Sequence, residues 1–107
     1  MRKKIAIIGG GIIGCLTAIK LKESGFEVLV VDKHQIGKES SWAGAGILFP
    51  LMPWNYLPKV YNLCTLASSY YENFSKKLHD TTGIDPEYKK TGMTLIPPYN
   101  KDEVIKW

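Results

Sequence analysis

The chain places glycines at Gly9, Gly10, Gly11 and Gly14 between the apolar runs Ile5-Ala6-Ile7-Ile8 and Val28-Leu29-Val30-Val31. The second run ends on Asp32. The intervening residues, from Ile12 to about Ser24, carry a helical pattern, with Leu16, Ala18, Ile19 and Leu21 apolar and Lys20, Lys22 and Glu23 on the wet side. Gly25 stands where a helix C-cap glycine belongs. The order is strand, glycine turn, helix, strand and acid. That context turns a weak Gly-x-Gly-x-x-Gly pattern into a specific one.

Each position has a physical reason. Gly9 allows a sharp turn out of the first strand. Gly11 leaves the backbone open to a pyrophosphate, and Gly14 lets the helix pack closely on the strands. The helix start presents free N–H groups and the positive end of its dipole to anions. A carboxylate at the tip of the second strand accepts hydrogen bonds from both ribose hydroxyls of an adenosine, and its charge repels a 2′-phosphate. These residues therefore predict a site for the ADP half of FAD or NAD, and argue against NADP.

Arg2-Lys3-Lys4 followed by apolar residues as far as Ile19 also has the outline of a secretory signal, and Ile13-Gly14-Cys15 faintly resembles a lipoprotein cleavage box. The box has a bulky residue at Ile13 where a small one is usual. No polar tether follows Cys15, and the glycines weaken an apolar signal core. The nucleotide unit is the better reading. No apolar stretch has the length of a membrane span.

A chain of 107 residues with 45% hydrophobic content suits one small globular domain. The net charge of +4 is spread over many separate lysines, so it reads as a solvated surface and not as a nucleic-acid patch. Cys15 and Cys64 have no metal or redox spacing and read as small apolar residues in a reducing, cytoplasmic compartment. His34 and His79 stand apart from each other and from any acid cluster, so no metal is expected.

Lys33 to Asn55 shows no regular period. Its centre, Glu39 to Ile47, is rich in small residues, whereas Trp42, Ile47, Leu48, Phe49, Leu51, Met52 and Trp54 are poor linker residues. A loop lying against a cofactor fits this composition better than a flexible connection. From Tyr56 to about Thr82, apolar residues at Val60, Leu63, Cys64, Ala67, Tyr70, Tyr71, Phe74 and Leu78 predict a long helix closed by Gly83. Asp85-Pro86 makes a turn, Tyr88 to Ile96 reads as a strand interrupted by Gly92, and Pro97-Pro98 ends it. Asn100 with Glu103 resembles a capping box opening a last helix.

Over its whole length the chain resembles the N-terminal part of FAD-dependent amine oxidoreductases of the D-amino-acid oxidase type, most closely the glycine oxidases associated with thiazole (thiamine) biosynthesis. The resemblance rests on Ile7 to Gly14, Val31-Asp32, Ser40 to Leu48, Thr82-Gly83-Ile84-Asp85 and Lys90-Thr91-Gly92-Met93. It implies FAD as cofactor. Gly9, Gly11, Ile12, Ile13 and Gly14 would form the pyrophosphate turn, and Asp32 with Lys33 would surround the adenosine ribose. Ser40 and Ser41 would lie near the phosphates and ribityl chain, with Ala45, Gly46 and Ile47 along the isoalloxazine ring. Glu is frequent in the family where Asp32 stands, and Trp42 replaces a small polar residue of some relatives.

The resemblance also implies the reaction. Hydride passes from the α-carbon of glycine or a D-amino acid to the flavin, the resulting imine is hydrolysed to a keto acid and ammonia, and oxygen reoxidises the flavin to give peroxide. The arginine that grips the substrate carboxylate lies beyond Trp107 in such enzymes, so no catalytic residue is named here. The expected fold is α/β: a Rossmann-like FAD-binding βαβ unit, then a long helix and the first strand of a substrate domain. Residues 1–83 would belong to the FAD-binding domain and residues 84–107 to the start of the substrate domain.

Nothing after Asp32 supplies further parallel strands, which predicts a truncated chain, marginal or aggregation-prone alone, for which a separately encoded C-terminal part is one candidate partner. The expected ligand is a small-molecule amine whose site is largely absent from this chain. Neither nucleic acid nor more than peripheral membrane contact is expected. Two alternatives stand beside this reading: a non-catalytic nucleotide-binding fragment, and an NAD-dependent Rossmann protein. The loop from Ser40 to Ile47 disfavours the latter, since a nicotinamide domain normally runs from its acid straight towards a third strand.

Overall fold

The apolar run Lys4–Ile8 forms strand β1, the residues Ile12–Glu23 form helix α1, and Glu27–Val31 forms strand β2. A computed structural model of the chain describes residues 3–49 and 52–106. Arg2, Leu51 and Trp107, used in the sequence reading, lie outside the described residues. The chain divides into two compact units, Met1–Gly46 and Ile47–Trp107.

In the first unit β1 and β2 pair in parallel, with Ile5 opposite Val28 and Ile7 opposite Val30. Parallel neighbours require a crossover, and α1 supplies it. Residues alternate across the pleat, so Ile5, Ile7, Val28 and Val30 share one half-buried face. The opposite face stays open, with Ile8 83% and Leu29 62% exposed. No hydrophobic side chain among the described residues is fully buried. Parallel sheets are normally covered on both faces, so this uncovered face is an incomplete layer.

Helix α1 begins where the glycines permit it. Gly9 takes φ +105°, a conformation that a side chain rarely adopts, and its N–H donates to the Val31 carbonyl at 2.8 Å. A Cβ on Gly14 would lie 1.9 Å from the Gly9 carbonyl oxygen, so only hydrogen fits there. The far end closes as the sequence predicts. Gly25 adopts φ +88°, and the Gly25 and Phe26 N–H groups donate to the Lys22 and Leu21 carbonyls. Lys20 and Lys22 sit in the last turn, where positive charge complements the helix dipole.

After β2, the segment predicted as irregular contains one short helix, α2, at Ser40–Ala43. It is opened by the Glu39 carbonyl, which accepts from the Trp42 and Ala43 N–H groups. The second unit has a single 3-10 turn at Pro53–Asn55 and then the long helix α3, Pro58–Thr82. Pro58 at the first helical position fixes α3 two residues later than the Tyr56 start expected. Gly83, with φ +71° and its N–H on the His79 carbonyl, ends it. Tyr61, Cys64, Ala67, Tyr71, Phe74 and Leu78 line its half-buried side, and the Phe49 and Tyr61 rings meet edge to face with centroids 6.0 Å apart.

One expectation is corrected. Tyr88 to Ile96 forms no strand, because a strand exists only where another one takes up its backbone groups, and β1 and β2 pair only with each other. The segment instead has no regular structure, with positive φ at Glu87 just before it and at Gly92 within it, and Lys90 reaches the Glu72 carboxylate on α3. The final helix, α4, spans Lys101–Lys106. The Asn100 side-chain oxygen accepts from the Asp102 and Glu103 N–H groups, which is the cap expected from sequence.

The glycine contact at the start of α1 generates a stability prediction. Gly14→Ala places a methyl group against the Gly9 carbonyl and must displace the helix from the sheet. Urea unfolding followed by circular dichroism should show a loss of about 2 kcal/mol or more, as overpacking typically costs 1–3 kcal/mol. An unchanged midpoint would refute the packing described.

Candidate functional site

The carboxyl ends of β1 and β2 open onto a groove of about 650 Å³ within the first unit, lined by Ile8, Gly9, Gly11, Val31, Asp32, Lys33, Glu39, Ser40 and Ser41. Ligands of open α/β sheets bind at such strand ends, and this volume is of the usual order for a small-molecule site.

Asp32 is the fixed point of the groove. Its Oδ2 accepts the Gly10 N–H at 2.6 Å, and its Oδ1 accepts the His34 N–H at 3.1 Å. These amides stabilise the ionised form, the Gly10 bond most, and hold the carboxyl below the usual aspartate range. Each oxygen keeps acceptor capacity for a further donor, as a carboxylate has about four lone-pair sites.

Gly10, which the sequence reading left without a role, is a hub. Its N–H serves Asp32, and its carbonyl accepts the Gly37 N–H at 2.9 Å and the Cys15 thiol at 3.3 Å. A Cβ here would come within 2.9 Å of Ile36 and 3.3 Å of Asp32 Oδ2. The glycine turn, the acid and the loop beyond it are thus tied into one piece. Only the run of three glycines hinted at this, since the turn motif itself leaves that position open.

The far wall comes from α2. Ser41 Oγ accepts the Ile12 N–H at 2.9 Å, capping the first turn of α1 from 29 residues away. The helix has no side-chain cap of its own, because Gly11 occupies the N-cap position. Gly11 faces Ser41 so closely that a Cβ would sit 3.0 Å from the hydroxyl.

Of the residues named from sequence, Gly9, Gly11, Asp32, Lys33, Ser40 and Ser41 meet in this groove. Ile12 joins it through the Ser41 bond, Gly14 packs beneath the turn, and Ile13 stands 76% exposed on α1. Ala45 and Gly46 follow α2 and are not part of the lining, and Ile47 belongs to the second unit. Ile8, Val31 and Glu39 line the groove without having been named as site residues. Ile8 and Val31 follow from strand-end geometry, whereas Glu39 carried no sequence signal. Among the described residues no group of three or more His, Cys, Asp or Glu side chains could hold a metal ion, and no helix is long and apolar enough to cross a membrane.

A parallel β-α-β unit with a glycine turn and a strand-end acid is the arrangement of the dinucleotide-binding class of folds. Comparison with known proteins narrows that class: residues 4–107 match the family of FAD dependent oxidoreductases, and the chain belongs to it. It is 39% identical over its full length to the glycine oxidase of Pseudomonas putida and 36% identical to that of Pseudomonas aeruginosa. It is 35% identical, over 96% of its length, to the bifunctional protein ThiO/ThiG of a Nostoc species. The chain spans 29% of each glycine oxidase and 16% of the bifunctional protein. No solved structure gives a significant match.

The anchoring of Asp32 can be read directly by pH titration. Because its folded pKa is depressed, the ionised carboxylate contributes stability above the unfolded-chain value, and this is lost as pH falls through the folded value. The Gly10 amide proton resonance should therefore move upfield only below the ordinary aspartate range. In Asp32→Asn the titration should vanish. A Gly10 resonance that titrates at the ordinary aspartate pKa would contradict the bond.

Proposed function

We propose that the groove holds the ADP half of FAD and that this chain is the cofactor-holding portion of an amino-acid oxidoreductase acting on the amine of glycine or a D-amino acid. The observation that carries the reading is the Asp32 carboxylate, fixed by the Gly10 amide at the mouth of a glycine turn in which Gly10 and Gly14 leave no room for a Cβ. The substrate class draws on the relatives that bear the name glycine oxidase.

The residues fit the group. Gly11 keeps the turn open to a pyrophosphate, and Ile13 brings a first-turn amide of α1 to its oxygens beside Ile12, whose own N–H is held by Ser41. Ser41 carries a hydroxyl hydrogen free to rotate towards the same oxygens while its lone pair keeps the Ile12 N–H satisfied. Ser40 adds a second hydroxyl on the same wall. Asp32 takes the two ribose hydroxyls on its remaining lone pairs, beside Lys33. Ala45, Gly46 and Ile47 are assigned to the isoalloxazine end on the resemblance alone. When bound, the flavin supplies the redox chemistry, and the protein supplies position and electrostatics. No side chain of this chain is assigned as acid, base or nucleophile.

The amine site and its carboxylate-binding arginine are placed in polypeptide that this chain does not contain, with residues 84–107 as the beginning of the substrate domain. The partner this reading proposes is the remainder of the relatives' length, which the chain, spanning 29% of each glycine oxidase, does not cover. A cytoplasmic location is proposed with it, in keeping with the unpaired Cys15 and Cys64.

A second reading, a nucleotide-binding chain without catalysis, follows from its spanning 29% of each glycine oxidase. Two measurements separate the readings. FAD should bind the purified chain with a shifted flavin spectrum, and peroxide should form from glycine when the complementary part is supplied. Binding without peroxide in that mixture would favour the second reading.

Gly11→Val should abolish flavin retention, because its side chain fills the pyrophosphate space and meets Ser41. Asp32→Ala should weaken FAD binding roughly tenfold or more through lost ribose hydrogen bonds. Both are measured by flavin fluorescence titration. Retention of flavin by Gly11→Val at parental affinity would remove the groove as its site.

A further inference from the structure

The two basic residues that follow Asp32 both lie near the carboxylate of a third residue of the groove. Glu39 presents one carboxylate oxygen to each: Oε2 lies 3.7 Å from Lys33 Nζ, and Oε1 lies 3.7 Å from His34 Nε2. Glu39 lines the groove together with Asp32 and Lys33, so two anions face the same space. The Glu39 side chain is 43% exposed, Lys33 73% and His34 64%. The pairs are therefore a bias and not a lock.

The position of these residues gives the arrangement its meaning. A residue of positive charge next to the strand-end acid is what accommodates a 2′-phosphate on adenosine. Lys33 stands at that place with His34 beside it, and an unpaired lysine there would offset part of the repulsion from Asp32. Glu39 pairs with Lys33, reaches the His34 ring and adds a second negative charge to the groove. Its backbone carbonyl meanwhile opens α2, which fixes the carboxylate on the groove wall.

We propose that Glu39 is a specificity-determining residue, which holds Lys33 and His34 away from the ribose and so excludes dinucleotides that carry a 2′-phosphate. The inference rests on the reading that the adenosine ribose lies at Asp32. It assigns the exclusion to a pair of acids acting together, Asp32 by direct contact and Glu39 by pairing with Lys33 and reaching the neighbouring His34.

The test uses the full chain and two probes, ADP and its 2′-phosphorylated counterpart, with affinities measured by calorimetry. In the parent, ADP should bind and the 2′-phosphorylated probe should bind more weakly. In Glu39→Gln, which keeps the backbone carbonyl of α2, the ratio of the two dissociation constants should narrow by about fivefold at low ionic strength. The narrowing should disappear at high salt, since the exposed charges are then screened. Adding Lys33→Met to Glu39→Gln should return the ratio towards that of the parent. Glu39→Ser, with a residue well suited to a helix N-cap, should narrow the ratio in the same way and serves if Glu39→Gln fails to fold. ADP binding with an unmoved ratio in both variants would overturn this inference and leave the site intact. Failure of the parent to bind ADP would overturn the site and the inference together.

Discussion

The approach of α1 to the carbonyl of Gly9 is the constraint on which the rest of the first unit depends. A helix can start so close to the end of a strand only if its third residue has no side chain, and Gly14 would otherwise place a carbon 1.9 Å from that oxygen. Once the helix is seated there, its first amides and the strand ends share one short turn. The positive φ of Gly9 makes that turn possible. The groove is the space left when backbone, and not side chains, forms this corner.

The acid and the loop beyond it are built onto the same corner. Gly10 joins the carboxylate of Asp32 to the turn through its N–H, and joins the loop through the Gly37 amide on its carbonyl. Ser41 then returns to the helix start, supplying the cap that Gly11 cannot. Polar contacts, not a hydrophobic core, define the site, because one face of the two-stranded sheet remains open and Ile8 and Leu29 stand exposed upon it. The chain belongs to the family of FAD dependent oxidoreductases, and its groove is assembled from backbone amides, the Asp32 and Glu39 carboxylates and serine hydroxyls.

Legibility from sequence followed the range of the interactions. The β-α-β unit could be read because its determinants are local: alternating apolar runs, a helix period, and glycines where φ or contact requires them. The bounds of α3 were nearly right for the same reason, with Gly83 at its end and the start displaced only by the helix-initiating Pro58. Tyr88 to Ile96 looked like a strand by composition, yet a strand is a pairing and no partner strand is found for it among the described residues. Asp32 was legible as an anion at a strand end, whereas Glu39 was not, since its meaning lies in what it reaches.

The amino-acid order by itself determined the elements of the first unit, the turn that joins them and the charge that terminates the second strand, because each depends on residues a few positions apart. Only the tertiary structure decided that Gly10 carries the Asp32 carboxylate, that Ser41 caps α1 across 29 residues, and that Glu39 holds Lys33 and His34. The first two contacts join segments brought together by the crossover of α1, and the third folds the loop after β2 back on itself. Their distances follow from how helix and strands pack, which no local pattern of residue types encodes.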